Sequence, residues 1–411
     1  MFRLYRRHHK RMVLGAAIFA CLLAFLNTFY GQDNEWTSNF PKAAASKGMK
    51  RRTTGSNGYA LAQMVRQRCI QKGHNFNVTD VHVSLLYTSS EPRVDYCPLW
   101  KVGTTFLKRV FMIKNLELYS NITNPYDISF LQTYNAHRGA IITNSQASQK
   151  FVFVRDPYQR LLSTYIDKIH APNSIYWKRI GIPAIKKVRS NASIHSLNCG
   201  HDLTFEEFIK YVAKVMPRYE RAPSRQKLGV KDYHFEKYTI LCKPCKIEYD
   251  FVGKMESFAE DSLELVKQLN MPKIAELMIV NGSNIYVDDA IKDTAFQPFS
   301  PEFNNDVTRC MSKKTALERV WTKLQFRGLI GNTKLLLDEK RLSSMTYPEF
   351  LQIVMDARKK SDSSERNQLK KRLFRETYKS VNLEDLYKVS AIFQDDFDLF
   401  EYDRNPSRLF Q

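Results

Sequence analysis

The feature that most constrains this chain lies at its start: an uncharged apolar run from Met12 to Tyr30, "MVLGAAIFACLLAFLNTFY", follows a segment holding Arg3, Arg6, Arg7, Lys10 and Arg11 and no acidic residue. Nineteen helical residues rising about 1.5 Å each can cross a hydrocarbon core of about 30 Å. The basic flank then stays cytosolic, which puts everything after residue 30 on the lumenal or extracellular side. A cleaved signal peptide is the rival, but the run is long and no small-x-small site follows it, which favours an uncleaved anchor. The expected layout is a cytosolic tail (1–11), a signal-anchor (12–30), a polar stem (31–58) without apolar periodicity, and one globular region (59–411).

With 411 residues and 43% hydrophobic content the chain can bury one large core or two modest ones. Its net charge of +21 points to an acidic partner. Beyond the anchor, an acidic glycan or proteoglycan suits that charge, and nucleic acid is not expected. Sequons at Asn77, Asn121, Asn191 and Asn281 agree with a secretory placement. So do six cysteines past the apolar run, Cys69, Cys97, Cys199, Cys242, Cys245 and Cys310, in a compartment where disulfides persist. Their pairing is open among fifteen possibilities. The Cys242-Lys-Pro-Cys245 spacing suits a redox motif, but no thioredoxin-like pattern surrounds it, so structural disulfides are expected. No second Cys/His pair supplies a zinc site, and no metal is expected.

Short β-rich runs alternate with helical patterns, which favours an α/β domain. In "VDYCPLWKVGTTFLKRV" a strand runs into a turn over Lys101–Thr105, and "FLKRVFMIKNL" begins a helix with Thr104 or Thr105 near its N-cap. Backbone N–H groups and a positive helix end beside Lys101 outline an anion site. No G-x-x-x-x-G-K-[ST] sequence is present, which disfavours an ordinary ATP-dependent P-loop enzyme. A second unit follows in "QKFVFVRDPYQRLLSTYIDKI": a strand over Phe151–Val154, then Arg155, then a helix with Asp156 at the N-cap and Pro157 at its first position. Arg155 offers a fork suited to phosphate, and Ser163, off the apolar stripe, a hydroxyl. Two such units fit a nucleotide phosphorylated at two positions better than one does.

These two stretches resemble the 5'-phosphosulfate and 3'-phosphate motifs of the Golgi carbohydrate sulfotransferases, in the group holding the chondroitin, dermatan and HNK-1 enzymes. "CKPCKIEYDFVGKMES" (242–257) and "LYKVSAIFQDDFDLFEYD" (386–403) resemble further blocks of that group in the same order. The resemblance implies a P-loop-NTPase-like sulfotransferase fold, a central parallel sheet flanked by helices after a single transmembrane helix. It also implies the donor PAPS (3'-phosphoadenosine 5'-phosphosulfate), with Golgi residence as a single-pass type II protein. The donor would be held by Lys101, Val102, Gly103, Thr104, Thr105 and Phe106 at one end and by Arg155, Asp156, Pro157, Arg160 and Ser163 at the other. Lys101 would stabilise the leaving phosphate. His234 is the favoured base for the acceptor hydroxyl, with His170, His201 and Glu256 as rivals. The implied acceptor is GalNAc or a related sugar in chondroitin/dermatan-type chains; the alternative is a noncatalytic or degenerate lumenal glycan-binding protein. Trp100 departs from the group's usual Pro, Phe106 and Leu107 from its Asn and Trp, and residues 303–380 look longer than the group's.

Overall fold

A computed structural model of the chain describes residues 58–76, 80–88, 94–128, 131–134, 137–143, 148–221, 232–281, 284–336 and 338–410. The expected tail and anchor and nearly all of the expected stem lie outside the described residues. Among those described, no helix is long and apolar enough to cross a membrane.

Five strands form one sheet: β1 (Asp80–Thr88), β2 (Val94–Cys97), β3 (His137–Thr143), β4 (Gln149–Val154) and β5 (Phe251–Lys254), in the spatial order β3-β1-β2-β4-β5. β2, β4 and β5 are parallel, with Tyr96 opposite Phe151 and Phe153 opposite Gly253. β1 is antiparallel to both β2 and β3. The expected central parallel sheet is therefore corrected to a mixed one. The reason is chain length: residues 89–93 alone join β1 to β2, far fewer than the dozen or more that a parallel crossover needs. β2 is buried along its whole length and β4 from Lys150 onward, the pattern of strands covered on both faces.

Helix α1 (Gly58–Gln71) lies on β5, with Tyr59 edge-on to Phe251. Helix α2 (Thr104–Asn115) buries Phe106, Leu107, Val110 and Phe111, one stripe of a 3.6-residue period, and Phe111 stacks on Tyr96 of β2 at 5.1 Å. Helix α3 (Pro157–Tyr165) starts a second core, in which Tyr158, Leu161 and Leu162 meet Phe208, Ile209 and Val212 of α4 (Phe205–Arg221). Helix α5 (Lys313–Phe326) builds a third, Leu317, Val320 and Leu324 packing with Ile291, Phe350 and Val354. Helix α6 (Ser363–Lys379) is largely exposed, as its charge density implies, but buries Leu369 and Tyr378. The 303–380 segment thus feeds two of the cores and is continuous with the rest of the fold.

The six cysteines form three disulfides, Cys69–Cys245, Cys97–Cys242 and Cys199–Cys310. The Cys242/Cys245 pair is structural, each sulfur serving a different partner. Asn121 and Asn191 are exposed; Asn77 and the side chain of Asn281 lie outside the described residues.

Candidate active site

The three parallel strands end together, and their carboxyl ends deliver the Lys101 loop, Arg155 and Glu256. That edge is where α/β sheets place ligands. The loop after β2 curls tightly: Lys101 and Gly103 both have positive φ, 71° and 75°. Gly103, not Thr104 or Thr105, is the N-cap of α2. Two facts dictate this. Left-handed backbone favours glycine, and a Cβ here would lie 2.2 Å from the Phe258 ring. The Thr104 hydroxyl donates back to the Leu99 carbonyl. The amides of Thr104, Thr105 and Phe106 open the helix without an intrahelical acceptor. Val102 and Phe106 turn their side chains into the core, so backbone is what they can offer a ligand.

Arg155 joins this loop. Its Nη1 donates to the Lys101 carbonyl at 3.3 Å, while its own backbone is pinned by the Tyr238 hydroxyl, which donates to the Arg155 carbonyl at 2.8 Å. Its Nε is buried and has no hydrogen-bond partner among the described residues. A buried guanidinium N–H lacking an acceptor is costly, and an incoming phosphate would satisfy it. Asp156 caps α3 by accepting from the Gln159 amide at 2.9 Å, with Pro157 at the first helical position. Burial pushes the Asp156 carboxyl up to about 6. Ser163 is half-buried on the same helix. Arg160 differs from the expectation that it faces the donor. It is buried and donates to the carbonyls of Trp100 (3.3 Å), Glu236 (2.6 Å) and Tyr233 (2.8 Å). It braces the Lys101 loop against the 233–236 segment, because a guanidinium this enclosed must spend its donors on protein acceptors.

Lys101 reaches a residue that sequence reasoning missed. Its Nζ donates to Asp167 Oδ2 at 2.7 Å, Lys323 Nζ donates to Oδ1 at 2.5 Å, and Lys168 Nζ stands 3.2 Å from Oδ2. Three ammonium groups share one carboxylate. Burial draws Lys101 down to about 7, against the pull of Asp167. Burial alone would push Asp167 up, but the three lysines hold it well below the usual carboxylate range. Asp167 and Lys168 lie just past Ser163, where opposite charges on a mostly apolar helix were a readable signal. Lys323 carried none.

His234 is 4% exposed. Its Nδ1 meets Asp232 Oδ1 at 2.6 Å, and Arg179 pairs with the other oxygen of Asp232 at 3.1 Å. An Nδ1–H donated to the carboxylate leaves Nε2 as the basic nitrogen. Burial lowers the imidazole to about 4, the Asp232 hydrogen bond opposing, so it is neutral at pH 7. Its ring sits 5.8 Å from Trp100 and 4.9 Å from Tyr176, and Trp100 stacks on Tyr233 at 5.0 Å, which places an aromatic wall beside the Lys101 loop.

The rival bases are placed differently. His170 is drawn down to about 3 by burial, with Arg319 and Lys323 adding to the effect. His201 packs against Trp177 and His195 near the Cys199–Cys310 disulfide. Glu256 spends one oxygen on the Asp156 amide and the other on the Tyr402 hydroxyl. The cluster of His195, Cys199 and His201 has metal-like spacing, but Cys199 is disulfide-bonded, which removes its thiolate.

Fold and site together define an α/β protein that gathers Lys101, Lys168, Lys323 and Arg155 at the carboxyl edge of its parallel strands. The chain belongs to the sulfotransferase family, whose model matches residues 85–318. It is 35% identical to carbohydrate sulfotransferase 9 of Homo sapiens over 216 residues, covering 50% of this chain and 45% of the relative. Against carbohydrate sulfotransferase 8 of Mus musculus the identity is 31% over 201 residues, 47% and 46% of the two chains. Carbohydrate sulfotransferase 11 of Rattus norvegicus is 33% identical over 187 residues, 43% and 50%. The chain spans about half the length of the curated relatives it matches. No solved structure matches it.

Proposed function

We propose that this chain is a PAPS-dependent carbohydrate O-sulfotransferase that moves a sulfuryl group to a hydroxyl of an acidic glycan, GalNAc or a related sugar in chondroitin/dermatan-type chains. We further propose that it works in the Golgi lumen as a single-pass type II membrane protein. One observation carries the reading: Lys101, Arg155 and the unpaired amides of Thr104–Phe106 converge on one place, with an unsatisfied guanidinium N–H and more cations than anions around it. That excess suits a phosphosulfate and a 3'-phosphate.

PAPS supplies the activated sulfate. Lys101 and the loop amides hold its phosphosulfate end, and Arg155 with Ser163 holds the 3'-phosphate. As the acceptor oxygen bonds sulfur and the sulfur–oxygen bond to phosphate breaks, charge grows on the leaving phosphate beside Lys101. His234 Nε2 takes the acceptor's proton, and Asp232 stabilises the imidazolium that results. The Trp100–Tyr233 pair offers a face on which a sugar can lie.

The test incubates residues 31–411 with sulfur-labelled PAPS and a panel of desulfated chondroitin, dermatan, heparosan and N-glycan acceptors, beside Lys101→Ala and Arg155→Ala. Label on one acceptor class, lost in both variants, is the expected result. No transfer and no calorimetric binding of PAPS would leave a glycan-binding protein in its place.

A further inference from the structure

Lys323 lies outside the family-matched stretch, on α5, and 156 residues from the aspartate it touches. It is nonetheless almost wholly buried, its side chain 6% exposed, held by Asp167 Oδ1 at 2.5 Å and Gln297 Oε1 at 2.9 Å. A buried lysine needs a reason, because an ammonium taken out of water is costly unless it is paired and hydrogen-bonded. Here Asp167 serves Lys101, Lys168 and Lys323 at once, leaving two positive charges in excess in a half-enclosed site.

The division of the carboxylate matters. Oδ2 faces Lys101 and Lys168, and Oδ1 is taken by Lys323. Remove Lys323, and both oxygens become available to Lys101, which would then be gripped by the full carboxylate charge. Resting on the function proposed above, we propose that Lys323 is a positioning residue for Lys101: by occupying half of Asp167 it leaves Lys101 loosely enough held to transfer to the donor's phosphosulfate.

The charged and titratable groups facing Lys101 are Asp167 and Lys168 from the π-helical segment (Ile166–His170) that continues α3, Lys323 from α5, His234 beside the aromatic wall, and Arg155 across the Lys101 carbonyl. Lys323 lowers the proton affinity of Lys101 and Asp167 raises it. The two partners must therefore move Lys101 in opposite directions when removed.

The test uses trace acetylation with acetic anhydride across pH, reading the Lys101 peptide by mass spectrometry. It is run on wild type, Lys323→Met, Lys323→Arg and Asp167→Asn, with steady-state sulfate transfer measured in parallel. The expected result for Lys323→Met is a Lys101 midpoint raised by on the order of one pH unit, roughly a tenfold smaller reactive fraction. Its kcat/KM for PAPS falls about tenfold, mainly through KM. Lys323→Arg restores both readings. Asp167→Asn shifts the midpoint the other way; should it fail to fold, the two Lys323 variants decide. A wild type that transfers sulfate, with an unmoved Lys101 midpoint in Lys323→Met, overturns this inference alone. A wild type that transfers nothing overturns the proposed function and the donor role of the pair with it.

Discussion

Substituting Gly103 by alanine tests the proposed donor loop at its tightest point. The residue has φ 75°, and an added Cβ would sit 2.2 Å from Cε2 and 2.5 Å from Cζ of Phe258. That ring is itself wedged against Phe106 and Phe153, at centroid distances of 5.8 and 5.6 Å, so it has little room to withdraw. A left-handed alanine costs about 1–2 kcal/mol, and forcing a methyl into a packed site about 1–3 kcal/mol. The sum is about 2–5 kcal/mol, which for a domain of this size lowers Tm by roughly 3–7 °C. Part of the strain will be relieved by swinging the first turn of α2, and displacing catalytic donors by about 1 Å can cost about 100-fold. Calorimetry with 3'-phosphoadenosine 5'-phosphate and thermal melts read the two effects separately. Gly181→Ala is the control: its Cβ would meet the Gly200 carbonyl oxygen at 2.1 Å and neither Phe153 nor Phe258, so stability falls while nucleotide affinity holds. Gly103→Ala with unchanged Tm and unchanged nucleotide affinity would refute the loop's proposed role.

Three further outcomes are expected. His234→Gln should bind the nucleotide normally and lose about 10²- to 10⁴-fold in transfer. In wild type the rate should fall as pH drops through about 4, where the imidazole takes its proton, and a rate–pH profile that is flat there argues for another base. Replacing Cys97 and Cys242 by serine opens a cross-link between residues 145 positions apart and should cost up to about 5 kcal/mol in urea unfolding, and full reduction of wild type, which opens all three disulfides, should cost more. Arg160→Lys keeps the charge but cannot span three carbonyls, so Tm should fall and KM for PAPS should rise together; a change in neither would deny it the bracing role.

What the sequence made legible was local. Asp156-Pro157 announces α3 because cap and first-turn chemistry depend on neighbours a few residues away, and the helix begins there. The strand before Arg155 was readable as an apolar run for the same reason. The sequence puts Thr104 or Thr105 near the N-cap of α2, and Thr104 is the first helical residue; that the cap itself is Gly103 depends on Phe258, 155 residues distant. Arg160 looked like a phosphate ligand in a basic motif, and only the folded chain shows three carbonyls around it. The antiparallel half of the sheet follows from the short 89–93 connection rather than from any motif. His234 is legible through its motif, whereas nothing local marks Asp232, two positions earlier, as the carboxylate that meets its Nδ1. Lys323 had no local signature, since its meaning arises wholly from meeting Asp167 in three dimensions.

The C-terminal helices carry a practical consequence for anyone dissecting the molecule. The Tyr378 hydroxyl donates to the Tyr158 carbonyl, Asp396 accepts from the amides of Tyr238 and Thr239, and Tyr402 reaches Glu256. A fragment trimmed to residues 85–318 would retain both proposed nucleotide motifs on paper. It would also strip the pins from Tyr238, the residue that sets the backbone of Arg155, and leave Asp167 to Lys101 and Lys168 alone. The smallest working unit of this protein is therefore larger than its most recognisable part, and expression boundaries should be drawn beyond residue 403.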